Sequence, residues 1–366
     1  MTTAVASSAF TCSGSSPTLS ESLLSPLAPR LPPSWIPTLH LIGPGQVGRA
    51  FLERIARIPL LRLRAVTDST GTLFDPRGLE PGECAAWKAR GGSLSRYRDA
   101  LSISTDEALA WVGADLVVDA TPTDLDRPQL AAGRCRSILD RGARLALAAK
   151  DGLCFAGQDL LSAQRLSRVG FNAVLGGTGA HLAEELTELR ADCTEVEIVG
   201  NASTTALIEE IEAGGGLAEG IASATRRGLL ETDPTQDLDG SDAAVKLSIV
   251  VRALWGFELS PGDLPKVDLD PEAIRERRAR RTTTRLIGRA SRDGSFRLAY
   301  EEIPRGSHLA VPSDRVVYAY RTAGGLRVHV GSGLGPEGTA DALLADVLSL
   351  TRGFVAASDA VRGGVA

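Results

Sequence analysis

No stretch of the 366-residue chain approaches the roughly 18 uninterrupted apolar residues of a transmembrane helix, so nothing is expected to span a membrane. The five cysteines (Cys12, Cys84, Cys135, Cys154 and Cys193) are scattered, odd in number and without a CxxC pair. That argues against a disulfide framework and against a structural zinc site. The four histidines (His40, His181, His308 and His329) lie far apart and form no ligand motif, and no metal site is expected. A dominant charge sign is missing too. The net charge of −5 gives no reason to expect nucleic acid or an anionic membrane as a partner. The N-terminus lacks the basic start and apolar core of a secretory signal, and no internal repeat is apparent. The expectation is a soluble, cytoplasmic protein.

The length suits two domains, and 43% apolar residues are enough to fill real cores. Residues 1–37 are rich in Ser, Thr and Pro, carry only Glu21 and Arg30 as charged side chains, and read as a flexible N-terminal arm. The pattern then changes. Thr38 to Ile42 reads as a strand, Gly43-Pro-Gly45-Gln46-Val47-Gly48 as a GxGxxG turn, Arg49 to about Ile58 as a helix, and Leu61 to Thr67 as a second strand closing on Asp68. Gly43 permits a tight turn, Gly45 lets the backbone approach a pyrophosphate, and Gly48 lets helix and strand pack closely. The helix N-terminus offers N–H groups and a positive dipole end to phosphates. Asp68, 20 positions after Gly48, stands where an acid meets a ribose hydroxyl. Ser69, Thr70 and Arg77 suit a 2′-phosphate instead, so NAD and NADP both remain open.

Residues 69–110 read as an insertion of loop and helix. Ala114 to Ala120 reads as a buried parallel strand ending in Thr121-Pro-Thr123, polar groups at the strand's C-terminal end. Gln129 to Gly142 reads as a helix, and Arg144 to Ala149 as a strand ending in Lys150, which faces the ligand crevice of such a sheet. Glu231 to Lys246, ETDPTQDLDGSDAAVK, holds five acids (Glu231, Asp233, Asp237, Asp239 and Asp242) and a single base. Ser241 is placed to cap a helix with apolar positions at Ala243, Ala244, Leu247, Val250, Val251 and Leu254. Asp242 and Lys246 are four apart and share a face of it. Two readings stand: a surface i,i+4 pair beside a solvated loop, or a cleft where carboxylates hold a polar substrate and Lys246 presents an ammonium. Arg275 to Arg285 holds six Arg against one acid, Glu276, and reads as a solvated helix face. Residues 285–330 alternate as short strands with turns at Asp293-Gly294 and Gly324-Gly325, and Thr339 is placed to cap a last helix from Ala340 to about Thr351.

The segments LIGPGQVGRAFL, VVDATPTD, ALAAK, STTALIEEIEAGG, GLLETDPTQDLDGSDAAVKL and GSGLGPEGTADALLADV, in this order, resemble homoserine dehydrogenase of the monofunctional type without a regulatory tail domain. The ETDP…DLDG…D…K segment is the most specific of them. The resemblance implies an α/β fold with a Rossmann-type nucleotide-binding domain, an α+β catalytic and dimerisation domain, and a C-terminal helix returning to the first domain. It implies domains at 38–170 and 171–320, with 321–366 as the return and tail. It also implies reversible NAD- or NADP-dependent reduction of L-aspartate 4-semialdehyde to L-homoserine in threonine, methionine and isoleucine biosynthesis, by a cytoplasmic homodimer.

Carried over by position, Lys246 and Lys150 would be the catalytic lysines, with Asp242 orienting them. Glu231 would hold the substrate's amino group and Asp237 would line the site. Gly43, Gly45, Gln46, Val47, Gly48, Asp68, Thr121 and Lys150 would bind the cofactor. The sequence departs from the family pattern at Ala149 (usually Asn), Val245 (usually Arg), Ala202 and Ala206 (both usually Asn) and Gly179 (usually Pro). A glutamate near a monovalent-cation site in some members falls at Phe171 or Asn172, so no metal site is carried over. A related reductase of another small aldehyde and a non-catalytic nicotinamide-binding protein are the alternatives.

Overall fold

The computed structural model describes residues 36–226, 239–332 and 335–363, with side chains described through residue 352. Two sheets form among them. The first has the order β3-β2-β1-β4-β5-β6, built from β1 (Thr38–Ile42), β2 (Arg62–Asp68), β3 (Gly71–Phe74), β4 (Leu116–Asp119), β5 (Arg144–Leu147) and β6 (Val169–Gly170). Its strands are parallel except β3, which pairs antiparallel with β2. β4 is buried at every position and β1 at all but its first. That is why both read as nearly unbroken apolar runs. The chain leaves β1 through helix α1 (Gln46–Ile55) to β2 on one side and later returns to β4 on the other. This reversal opens a crevice at the C-terminal ends of β1 and β4.

Residues 69–110 carry β3 and the helices α2 (Pro81–Ala89) and α3 (Thr105–Val112), so this stretch adds an edge strand as well as helix and loop. Helices α4 (Pro128–Asp140) and α5 (Asp151–Leu160) flank β5. Helix α6 (Gly179–Asp192) then leads into the second sheet, order β11-β10-β7-β8-β9 and antiparallel throughout. Its strands are β7 (Glu195–Val199), β8 (Thr282–Ser291), β9 (Phe296–Pro304), β10 (Arg315–Thr322) and β11 (Gly325–Ser332). Helices α7 (Ala202–Glu212), α8 (Leu217–Arg226), α9 (Ser241–Trp255) and α10 (Pro271–Ala279) lie between β7 and β8 in sequence. Helix α11 (Pro336–Gly363) follows β11 and carries the chain back to the first sheet. There Ala340, Leu343, Val347 and Leu348 join Leu39, Leu41, Phe51 and Leu52 in one core. Arg54 of α1 donates to Asp341 at 2.5 Å and to Glu337 at 2.9 Å, clamping the two helices.

A second core runs through both halves. It joins Leu145, Leu147, Leu153 and Leu160 to Leu247, Val250, Val251 and Leu254, and on to Val196, Ile198, Tyr318 and Tyr320. Three local expectations are corrected. Ser241 is not a cap: Gly240 holds that place with φ +82°, and the Ser241 hydroxyl donates to Asp239. Thr339 is not a cap either, because α11 starts at Pro336 and the Thr339 hydroxyl donates back to the Gly335 carbonyl. Arg285 is not on a solvated helix face. The helix ends at Ala279, the β-branched run Thr282-Thr283-Thr284 opens β8, and Arg285 is buried there, donating to the Val311 carbonyl.

Candidate active site

The glycine turn sits in the crevice. Gly43 has φ +80°, and a Cβ there would stand 2.5 Å from the Thr121 nitrogen at the end of β4. A Cβ on Gly48 would stand 2.3 Å from the Gly43 carbonyl, so turn and helix touch through bare backbone. Gly45 is the opposite case: a Cβ there would meet nothing within 4 Å. Gly45 is also the N-terminal cap of α1 and offers no side chain to its free N–H groups. Open space before unpaired N–H donors is what a pyrophosphate needs, so these residues fit a dinucleotide. Gln46 is exposed and Val47 half-buried at the start of α1. The Thr121 hydroxyl is engaged with Asp119 at 2.6 Å, and Asp119 also meets Arg134 at 3.3 Å.

Asp68 closes β2 at the same edge, and its carboxylate is occupied. One oxygen accepts from the Thr70 N–H at 2.7 Å and the Thr70 hydroxyl at 2.5 Å, the other from Lys88 of α2 at 2.7 Å. Burial pushes this carboxyl up, but Lys88 and Thr70 outweigh it and hold it below the usual carboxylate range. Arg77 lies apart from this group, exposed and paired with Asp75 at 3.2 Å.

Lys150 follows β5 and stands at the N-terminal end of α5, where its N–H donates to the Thr123 hydroxyl at 3.2 Å. Helix α9 packs on α5: a Cβ on Gly157 would lie 3.6 Å from Arg252 Cδ. α9 is buried on nearly every side, which fixes its first turns against the end of the parallel sheet. There Lys246 Nζ meets Asp242 at 2.7 Å and Lys150 Nζ meets the other oxygen of Asp242 at 3.5 Å. Lys246 also donates to the Gly200 carbonyl at 2.6 Å. Only 13% of the Lys246 side chain is exposed, against 27% for Lys150 and 25% for Asp242. Burial pushes the Asp242 carboxyl up, and the ammonium groups of Lys246 and Lys150 overcome it, bringing it down to about 2. The cluster thus carries two cations on one permanent anion. Its surplus positive charge, in a half-buried site, suits an oxygen on which negative charge develops.

The structure brings Lys150, Asp242 and Lys246 together and gathers Gly43, Gly45, Gly48 and Thr121 at one crevice. Glu231 and Asp237 lie outside the described residues. The contacts made by Lys88, Thr123 and Gly200 have no counterpart in the sequence reading. Gly200 acts through a backbone carbonyl, which no residue type announces, and Lys88 reaches Asp68 only because α2 packs beside α1 near the end of β2.

Fold and site together combine a Rossmann-type parallel sheet, with a crevice suited to a nucleotide, and an antiparallel sheet, with a lysine–aspartate–lysine cluster gathered at the end of the parallel one. The model of the family "Homoserine dehydrogenase" matches residues 181–348. The chain is 27% identical to the NAD(+)-dependent homoserine dehydrogenase of Pseudomonas canavaninivorans, over 85% of this chain and 95% of that one, and 27% identical to homoserine dehydrogenase of Methanocaldococcus jannaschii, over 78% and 88%. The chain is thus similar to homoserine dehydrogenases over most of its length. Its fold matches a hyperthermophilic archaeal homoserine dehydrogenase in complex with NADPH (TM-score 0.68, 23% identity, 87% of this chain and 98% of that one). It equally matches the Thermoplasma acidophilum homoserine dehydrogenase (TM-score 0.69, 24% identity, 87% and 100%).

Proposed function

We propose that this protein is a homoserine dehydrogenase, interconverting L-homoserine and L-aspartate 4-semialdehyde with NAD or NADP. The observation that carries the reading is Asp242 held between Lys246 and Lys150 beside the nucleotide crevice. The nicotinamide, when bound, supplies the hydride for reduction and takes it up in oxidation. In reduction, Lys246 stabilises the charge growing on the aldehyde oxygen and gives it a proton; in oxidation it takes that proton back. Lys150 adds a second ammonium on the cofactor side, and Asp242 fixes both lysines. By the family resemblance, Glu231 would hold the substrate's ammonium and Asp237 would line the site. Gly43, Gly45, Gln46, Val47 and Gly48 cradle the pyrophosphate, with Thr121 at the crevice wall. Asp68 suits a free 2′-hydroxyl, while Lys88 beside it suits a 2′-phosphate, so both nucleotides belong in the assay.

The same reading assigns the protein to threonine, methionine and isoleucine biosynthesis in the cytoplasm. It also assigns it a homodimer. Support for the dimer comes from Leu326, Val328 and Val330, which alternate as exposed apolar side chains along β11, the edge strand of the second sheet. Pure protein given L-homoserine with NAD⁺ or NADP⁺ should form reduced nicotinamide. Nucleotide binding without homoserine-dependent reduction would turn the assignment toward another small aldehyde. No nucleotide binding at all would overturn it.

A further inference from the structure

Tyr318 lies in β10 with its side chain fully buried, and its hydroxyl has no hydrogen-bond partner among the described residues. Buried hydroxyls are nearly always paired, so an idle one calls for an explanation. Its surroundings supply one. A Cβ built on Gly200 would stand 3.5 Å from this hydroxyl oxygen and 3.2 Å from Cδ of Lys246. The buried carbonyl of the same glycine accepts the Lys246 ammonium at 2.6 Å. The idle donor therefore sits against the glycine whose carbonyl Lys246 already occupies. Burial, then Tyr320 and the Asp242 carboxylate, push the Tyr318 phenol well up, so it keeps its proton and remains a donor throughout the neutral range.

We propose that Tyr318 is a positioning residue for Lys246: its hydroxyl takes over the Gly200 carbonyl when the Lys246 ammonium turns from that carbonyl to the substrate oxygen. The inference rests on the role given to Lys246 under the proposed function. Without a replacement donor, the turn would strand a buried backbone carbonyl, and the lysine would be held back by the cost of doing so. With Tyr318 in place, one hydrogen bond is exchanged for another, and the hydroxyl idle in the resting arrangement becomes paired in the working one. Only hydrogen bonds change partners; no covalent bond is made or broken at Tyr318.

The test is Tyr318→Phe, which removes the hydroxyl and keeps the ring. The kcat for homoserine oxidation should fall by roughly three- to tenfold, the size of one net hydrogen bond. The KM for homoserine and the Kd for the nucleotide should stay at wild-type values, and Tm should hold or rise. In a Lys246→Met background the same change should cost nothing further, because the two residues act as a unit. Wild-type kcat in Tyr318→Phe would overturn the inference. So would a fall in Tm with kcat intact, which marks a packing role, or a full additional loss in the double variant. A wild-type protein that binds nucleotide yet leaves homoserine untouched defeats the proposed function instead, and that outcome is separate from all of these.

Discussion

Asp242 is the residue through which the two lysines are held, and its charge state has a measurable signature. Its folded-state pKa of about 2 lies below the ordinary carboxylate value. The stability it contributes is therefore complete above pH about 4 and is lost as pH falls through about 2, amounting to roughly 2 kcal/mol. Between those pH values, wild type should lose more stability than Asp242→Asn; equal losses in parallel urea titrations would count against the ion cluster. Lys246→Met should lower kcat by roughly 10²–10⁴-fold while nucleotide binding persists. Lys150→Met should bring a comparable loss that does not add to it. Near-normal turnover in Lys246→Met would leave Lys150 as the proton donor. Gly45→Val should leave Tm nearly unchanged, since a Cβ there meets no protein atom within 4 Å, and should sharply raise the nucleotide Kd; an unchanged Kd would remove the pyrophosphate assignment. The Asp242–Lys246 pair was legible in the sequence because four residues make one helical turn. Lys150 was legible because it ends a strand. Gly200 was not, because its contribution is a main-chain carbonyl presented by the turn after β7.

Among the elements, the central strands were the most readable and the helices α5 and α6 the least. Both faces of β1 and β4 are covered, so their composition alone marks them. α5 contains Gly152 and Gly157 and a kink at Ala156, poor helix signals that are overridden by close packing: Gly157 lies against Arg252, and Gly152 against Cys135. α6 begins inside a glycine-rich turn, which hides its start. The last helix is legible as an element, but it extends at both ends beyond the Ala340 to Thr351 span that the sequence predicts. One of its residues links it to the passage between the two halves: Asp346 is buried in α11 and accepts the Asn172 N–H at 2.8 Å. Burial pushes this carboxyl well above its ordinary value. An acid with a raised folded-state pKa subtracts stability once pH rises above its unfolded value of about 4. Asp346→Asn keeps an acceptor oxygen and removes the charge, so at pH 7 it should be at least as stable as wild type, with any advantage vanishing below pH about 4. A lower Tm for Asp346→Asn at pH 7 would show that the charge itself is needed there.

For the molecule as a whole, the exposed stripe on β11 ties solubility to assembly. If Leu326, Val328 and Val330 meet a second copy, Val330→Lys should convert a dimer to monomers in light scattering while leaving the helical signal intact; a wild type that runs as a monomer would withdraw the assignment. The two-sheet architecture followed from the sequence because one half alternates strand with helix and the other is rich in hairpin turns, which separates parallel from antiparallel sheets. Which side chains join the halves was not readable, since that depends on long-range packing through α5 and α9. The position of α11 bears on synthesis. Its residues Ala340 to Leu350 help fill the core around Leu39, Leu41 and Phe51, some 300 residues earlier. A growing chain on the ribosome therefore emerges with its nucleotide half still missing a wall. The core of the first sheet therefore closes only once the last helix has been made.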